Sequence, residues 1–270
     1  MVRIPVLLMA IFLSCQQKET GIVQRDAWPA DSVSVDSKQQ VATPKEVVSV
    51  GIPLPKIEIL FAGTFHGDEV KENIEELSWL GLFVDDDGGF LLTETKIVAQ
   101  RVVDGLIDDA ENSEKTGWEI GTETGQHPTI LVTGGDFTEG KVETGQIPVA
   151  IYPGDSVQLD FKGVHYLLYA TGLNVIDSAA GVNHVSEYNL FVVRTHNGKS
   201  AHTSLVSHSS FDDAMTSILW SGDIDRDGYI DFVIDTSRHY NQRLPTLFLS
   251  KPAKKNQVVV PVAEHSSVGC

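Results

Sequence analysis

The chain has 270 residues, with 37 Asp and Glu against 20 Lys and Arg, giving a formal net charge of −17. So acidic a surface is repelled by phosphate backbones, which argues against nucleic acid as a partner. The only cysteines are Cys15 and Cys270, which excludes a disulfide framework and leaves the fold to its apolar core.

At the start, Arg3 supplies a positive charge and Ile4 to Leu13 is an apolar run of signal-peptide length, too short to span a bilayer. Phe12-Leu13-Ser14-Cys15 follows. It resembles the lipobox of bacterial lipoproteins, with Phe12 where Leu is usual. The resemblance implies a lipoprotein signal peptide over residues 1–15, acylation of Cys15, and attachment to a membrane through that lipid. The alternative is an ordinary cleaved signal peptide with an incidental Cys15. Gln16 stands where an inner-membrane retention signal has Asp, which implies the outer membrane, at its periplasmic face or at the cell surface. With Cys15 acylated, Cys270 has no intrachain partner; it is then an inert thiol or one half of an intermolecular disulfide.

Residues 16–55 are polar and carry Pro29, Pro44, Pro53 and Pro55, a composition that predicts a flexible tether. Residues 56–270 form the folded part, long enough for one substantial core. Its pattern is mostly strands: Lys56 to Ala62, Phe90 to Val98 after the acidic turn Asp85-Asp86-Asp87-Gly88-Gly89, Thr129 to Val132, Ser156 to Phe161, and Tyr166 to Ala170. Tyr188 to Thr195 and Lys199 to Val206 flank Asn197-Gly198, a strong hairpin signal. Ile218 to Trp220, Ile230 to Ile234, Thr246 to Leu249 and Gln257 to Val262 complete the set. One helix is predicted, over Glu69 to Leu80, where Ile74 and Leu77 sit three apart among Glu residues. The expected fold class is therefore mainly β: an antiparallel, sandwich-like or barrel-like domain with one or few short helices.

One segment carries chemistry. Asp223-x-Asp225-x-Asp227-Gly228-x-x-Asp231 places carboxylates at alternating positions. Calcium is a hard cation that takes six to eight oxygen ligands at about 2.3–2.6 Å. Asp223, Asp225 and Asp227 supply carboxylates, Gly228 permits the turn that wraps the ion, and Tyr229 offers its backbone carbonyl. Asp231 closes the set, directly or through water. Four carboxylates this close repel one another without a cation. The segment resembles the calcium loop shared by FG-GAP repeats of integrin type, dockerins and EF-hands. It departs from the EF-hand in having Ile234 at the twelfth position instead of Glu, with Asp235 one residue later. Its flanks, Ile218-Leu219-Trp220 and Phe232-Val233-Ile234, are β-like, which favours the strand-loop-strand version of FG-GAP proteins. The wider stretch from Trp220 to Ser250 is similar to the C-terminal part of uncharacterised bacterial lipoproteins with a single such loop. The alternative is an acidic surface hairpin that binds no metal.

Other candidates are weaker. His196, His202 and His208 are separated by the Asn197-Gly198 turn and do not form a zinc spacing. His66-Gly67-Asp68-Glu69 offers the residues of an acid-base pair, but reads more strongly as a helix N-terminus with favourable acidic residues. Trp79, Trp118 and Trp220 read as core residues rather than sugar platforms. Two function classes remain. One is a non-enzymatic lipoprotein with a structural calcium ion, acting as a surface or periplasmic scaffold or adhesion module, its protein or glycan partner unspecified. The other is a hydrolase or carbohydrate-binding protein whose site is assembled from residues far apart in sequence. A concave pocket with convergent carboxylates or exposed Trp rings would favour the second.

Overall fold

The computed structural model describes residues 56–109, 114–177 and 182–268. Cys15, the predicted tether over 16–55 and Cys270 lie outside the described residues. The elements in chain order are β1 (Glu58–Leu60), β2 (Gly63–Phe65), a 3-10 turn (Ile74–Glu76), β3 (Trp79–Val84), β4 (Phe90–Thr95), β5 (Ile97–Val102), β6 (Gly117–Thr122), β7 (Ile130–Thr133) and β8 (Gly140–Val142). There follow β9 (Ser156–Phe161), β10 (Val164–Asp177), β11 (Val182–His196), β12 (Lys199–Ser210), β13 (Ser217–Gly222), β14 (Asp231–Asp235), β15 (Gln242–Arg243), β16 (Pro245–Leu249), β17 (Val260–Glu264) and β18 (Ser267–Val268). The fold is mainly β, and the ladders joining these strands are antiparallel.

Four sheets stack. The β12-β11-β10-β9 sheet packs Tyr166, Leu168, Tyr188, Leu190 and Val192 against Ile218, Phe232, Ile234 and Phe248 of the β13-β14-β16-β17 sheet. The opposite face of that second sheet turns Trp220, Val233, Leu247 and Leu249 onto Ile59, Leu82, Leu92, Ile130 and Val132 of the β1-β7-β3-β4-β8 sheet. Leu60, Trp79 and Leu131, on the far side of this third sheet, meet Phe65, Ile97, Trp118 and Ile120 of the β2-β6-β5 sheet. The sandwich expectation holds, with extra layers; the barrel alternative falls, because no sheet closes among the described residues.

Burial on both faces explains the unbroken apolar runs. A strand with one wet face alternates, whereas Phe232-Val233-Ile234 and Leu247-Phe248-Leu249 have no polar partner because neither face meets water. The Asn197-Gly198 turn forms as expected: His196 pairs with Lys199, and both turn residues have positive φ, 50° and 70°, the backbone of a type I′ hairpin. In the Asp85–Gly89 turn Asp85 Oδ1 accepts N–H bonds from Asp87 and Gly89 at 3.0 and 2.7 Å.

The helix over Glu69 to Leu80 does not form. Residues Ile74–Glu76 make a single 3-10 turn without a side-chain cap, and Trp79 already begins β3. The segment offered a helix only Ile74 and Leu77 as an apolar face. A short isolated helix is marginal. Burying Trp79 to 1% exposure, pairing Trp79–Val84 with β4 and pairing Leu80, Gly81 and Leu82 with β7 as well wins instead.

Adjacent residues on β16 give a direct check of double-sided burial. Leu247→Ala should cost about 2–5 kcal/mol and Phe248→Ala about 3–5 kcal/mol, each read from the denaturant midpoint. A near-neutral result for either one would mean that its face of the sheet is not packed.

Candidate metal centre

Strands β13 and β14 pair from Ser217↔Asp235 to Gly222↔Asp231, so residues 223–230 form the loop at the end of a hairpin in the doubly covered sheet. The base of the loop is clamped by the stretch after β8. Asp223 N donates to Glu143 O at 3.0 Å, Gly145 N donates to Ser221 O at 3.0 Å, and Thr144 bridges Gly222. Ile224 sinks fully into one core and Ile230 into the other. Ile230 N also donates to the hydroxyl of Tyr166, which burial pushes up to about 12.

Backbone and carboxylates shape the loop together. Gly228 lies at φ 90°, in the left-handed region that glycine enters without steric cost. Its N–H donates to Asp223 Oδ2 at 3.0 Å. Asp225 Oδ1 accepts from Asp227 N at 3.2 Å, and Asp227 Oδ1 from Tyr229 N at 2.9 Å, two successive Asx turns. The chain is thereby wrapped so that oxygens of Asp223, Asp225 and Asp227 lie within 4.8 Å of one another.

These are buried charges. Asp223 is 1% exposed and Asp225 9%. Burial first, then the neighbouring Asp227, pushes the Asp225 carboxyl up to about 6. Two oxygens, Asp223 Oδ1 and Asp225 Oδ2, are buried with no hydrogen-bond partner. An unpaired buried anionic oxygen is costly, and a cation among the three carboxylates would remove that cost. The donor set is all oxygen and mostly charged, which fits a hard divalent ion.

The other sequence-predicted residues are placed differently. Asp231 is not in the group of three. It is fully buried, Oδ2 accepting from Ile224 N at 3.0 Å and Oδ1 from Ser250 N at 2.8 Å. Burial and the nearby Asp225 raise its pKa well above the usual carboxylate range. Its oxygens keep further lone pairs, but its evident work is to tie the loop to the end of β16. Tyr229 packs its ring under Arg194, whose guanidinium carbon is 4.5 Å from the ring centroid.

Three participants were missed in the sequence. Ser250 Oγ donates to Asp227 Oδ2 at 2.7 Å. Lys162, in the β9–β10 turn, places Nζ 2.8 Å from Asp223 Oδ2, and Glu143 lies 3.4 Å from the same ammonium. All three are distant in the chain, and no spacing rule connects them to the loop.

No protein-family profile, no curated protein and no solved structure matches this chain.

A second constellation lies elsewhere. A cleft of about 350 Å³ is lined by His66, Asp104, Asp235, Arg243 and His265 together with Phe61, Phe65 and Leu219. His66 Nδ1–H donates to Asp104 Oδ2 at 2.6 Å, across 38 positions of sequence. His66 was singled out in the sequence for the acidic residues beside it; its backbone N–H donates to Glu69 Oε2 at 2.9 Å, while its ring pairs with Asp104. Trp79, Trp118 and Trp220 are all buried and offer no exposed ring.

The hydrogen bond from His66 raises and holds its imidazolium above the usual value of 6.5, and it lowers Asp104 below 3.8. The histidine contribution to stability is complete below pH 6.5 and is lost as pH rises through the higher folded value. The aspartate contribution is complete above 3.8 and is lost as pH falls through the lower folded value. Asp104→Asn should therefore destabilise more at about pH 5.5 than at about pH 8.5, read as denaturant midpoints against wild type. Equal losses at both pH values would show that the pair carries no net ionic contribution.

Proposed function

We propose that this chain is an exported, lipid-anchored bacterial protein whose β domain binds one structural calcium ion, serving as a non-enzymatic scaffold or adhesion module of the cell envelope. The observation that carries the calcium reading is the pair of buried carboxylate oxygens without partners, Asp223 Oδ1 and Asp225 Oδ2, inside a cluster of three carboxylates. Asp223, Asp225 and Asp227 would hold the ion, the Tyr229 carbonyl would add an oxygen, and Asp231 would close the sphere directly or through water. The ion supplies positive charge and stiffness to a hairpin buried between two cores. Calcium suits the set better than magnesium, whose smaller octahedral shell dehydrates reluctantly. Without the bidentate Glu of an EF-hand the site belongs with weak extracellular modules, at dissociation constants on the order of 10⁻⁴–10⁻³ M. In the His66 cleft both lining carboxylates are committed within the fold, Asp104 to His66 and Asp235 to the Ser237 and Leu244 N–H groups, so the scaffold reading has the stronger support.

At about ten times the dissociation constant, calcium should add roughly 1–2 kcal/mol, or about 2–8 °C in melting temperature. Chelation should remove that shift, and magnesium should restore little of it. Asp225→Asn should abolish the shift while raising the melting temperature of the ion-free protein, because it relieves repulsion among buried anions. If calorimetry detects no calcium uptake at millimolar concentration, the loop is an acidic hairpin without metal.

The lipid anchor rests on the charged, apolar and Phe12-Leu13-Ser14-Cys15 order. Radiolabelled palmitate should enter the wild type and not Cys15→Ala. Equal labelling of both would remove the anchor and the membrane from the proposal.

A further inference from the structure

Lys162 occupies a position that lysine rarely takes. Phe161 pairs with Val164, so Lys162-Gly163 is a two-residue hairpin loop, and its φ values of 49° and 78° define a type I′ turn. The first position of such a turn favours Asn, Asp or Gly, and a long side chain there bears left-handed strain. Strain of this kind persists where something else fixes the conformation. Here the side chain reaches into the loop. Nζ donates to Asp223 Oδ2 at 2.8 Å and sits 3.4 Å from Glu143 Oε1, while the Asp223 side chain is fully buried. The other lysine close to the loop, Lys251, donates instead to Asp136 at 2.9 Å. Lys162 is thus the cation that directly pairs with a loop carboxylate among the described residues.

We propose that Lys162 is a built-in competitor of the metal ion: it neutralises Asp223 when the loop is empty, and its charge opposes the ion when the loop is filled. The proposal rests on the calcium reading above. It follows from the positions of the charges. One oxygen of Asp223 is engaged by the ammonium and by Gly228 N–H, and the other is buried without a partner, on a side chain that belongs to the group of three carboxylates. A divalent ion shares that carboxylate with Lys162 and is repelled by it. The two cations are therefore coupled with negative sign, and the coupling is reciprocal: whatever Lys162 gives the empty loop it withholds from the filled one. The β9–β10 turn thereby sets the calcium concentration at which the loop fills. It also keeps the empty hairpin from collecting unbalanced negative charge.

Calcium calorimetry and melts in chelator separate this role from simple packing. Lys162→Met keeps the length of the side chain and removes the charge. It should tighten calcium binding by about fivefold or more and lower the melting temperature of the chelated protein. Lys162→Arg should stay near wild type in both measurements. Lys162→Asn suits the left-handed turn, so it carries the test if Lys162→Met fails to fold. Binding unchanged or weakened in both uncharged variants would overturn the competitor role. If wild-type protein takes up no calcium, the calcium reading and the competitor role both fail. If it does and the uncharged variants bind no tighter, only the competitor role fails.

Discussion

Burying carboxylates is the constraint around which the rest is arranged. Asp223 and Asp231 are almost wholly removed from water, and Asp225 nearly so. Each such charge costs several kcal/mol unless it is paired or solvated by fixed dipoles. The fold answers in layers. Backbone N–H groups of Ile224, Asp227, Gly228, Tyr229 and Ser250 point at the carboxylates, Ser250 adds its hydroxyl, and Lys162 adds a charge. Two oxygens are still left over. Six of the eight oxygens of Asp223, Asp225, Asp227 and Asp231 accept a hydrogen bond, and the two that do not belong to the cluster of three carboxylates, which is the feature on which the proposed cation site rests.

The hairpin can hold this charge because it belongs to the sheet covered on both faces. Ile224 anchors in the core shared with the β1-β7-β3-β4-β8 sheet, and Ile230 in the core shared with the β12-β11-β10-β9 sheet. Between them the loop has little freedom to swing its carboxylates out to water. On a hairpin with one wet face, the same residues would relax their repulsion by exposure. Here the same burial that stabilises the sheet keeps the carboxylates together.

What was legible in the sequence follows from the range of each interaction. The Asn197-Gly198 turn and the alternation of Ser156–Phe161 are local, and each forms where it was expected; the equally local Asp223-x-Asp225-x-Asp227 spacing brings those three carboxylates together, without Asp231. The apolar runs at Phe232 and Leu247 announced strands but not their two partners, because a run without polar residues does not say what covers each face. Short strands such as β2, β8 and β15 carry too few residues for any period to register. The helix over Glu69 to Leu80 failed because its apolar spacing was weaker than the pull of Trp79 into a sheet. Ser250, Lys162, Glu143 and Asp104 were invisible for a common reason: each meets its partner across a fold that had first to be known.

The distribution of roles within the motif also departs from a simple list of ligands. Asp231 belongs to the motif by spacing, yet its two oxygens accept N–H groups from residue 224 and residue 250. It therefore joins the start of the loop to the end of β16, and through Ser250 to Asp227. An ion held by Asp223, Asp225 and Asp227 would be linked to β16 by that path. Order imposed at the loop would then be transmitted to a strand that contributes Leu247 to one core and Phe248 to the other. A structural ion placed there would act on two interfaces at once, a larger lever on rigidity than the same ion would have at the tip of a free hairpin.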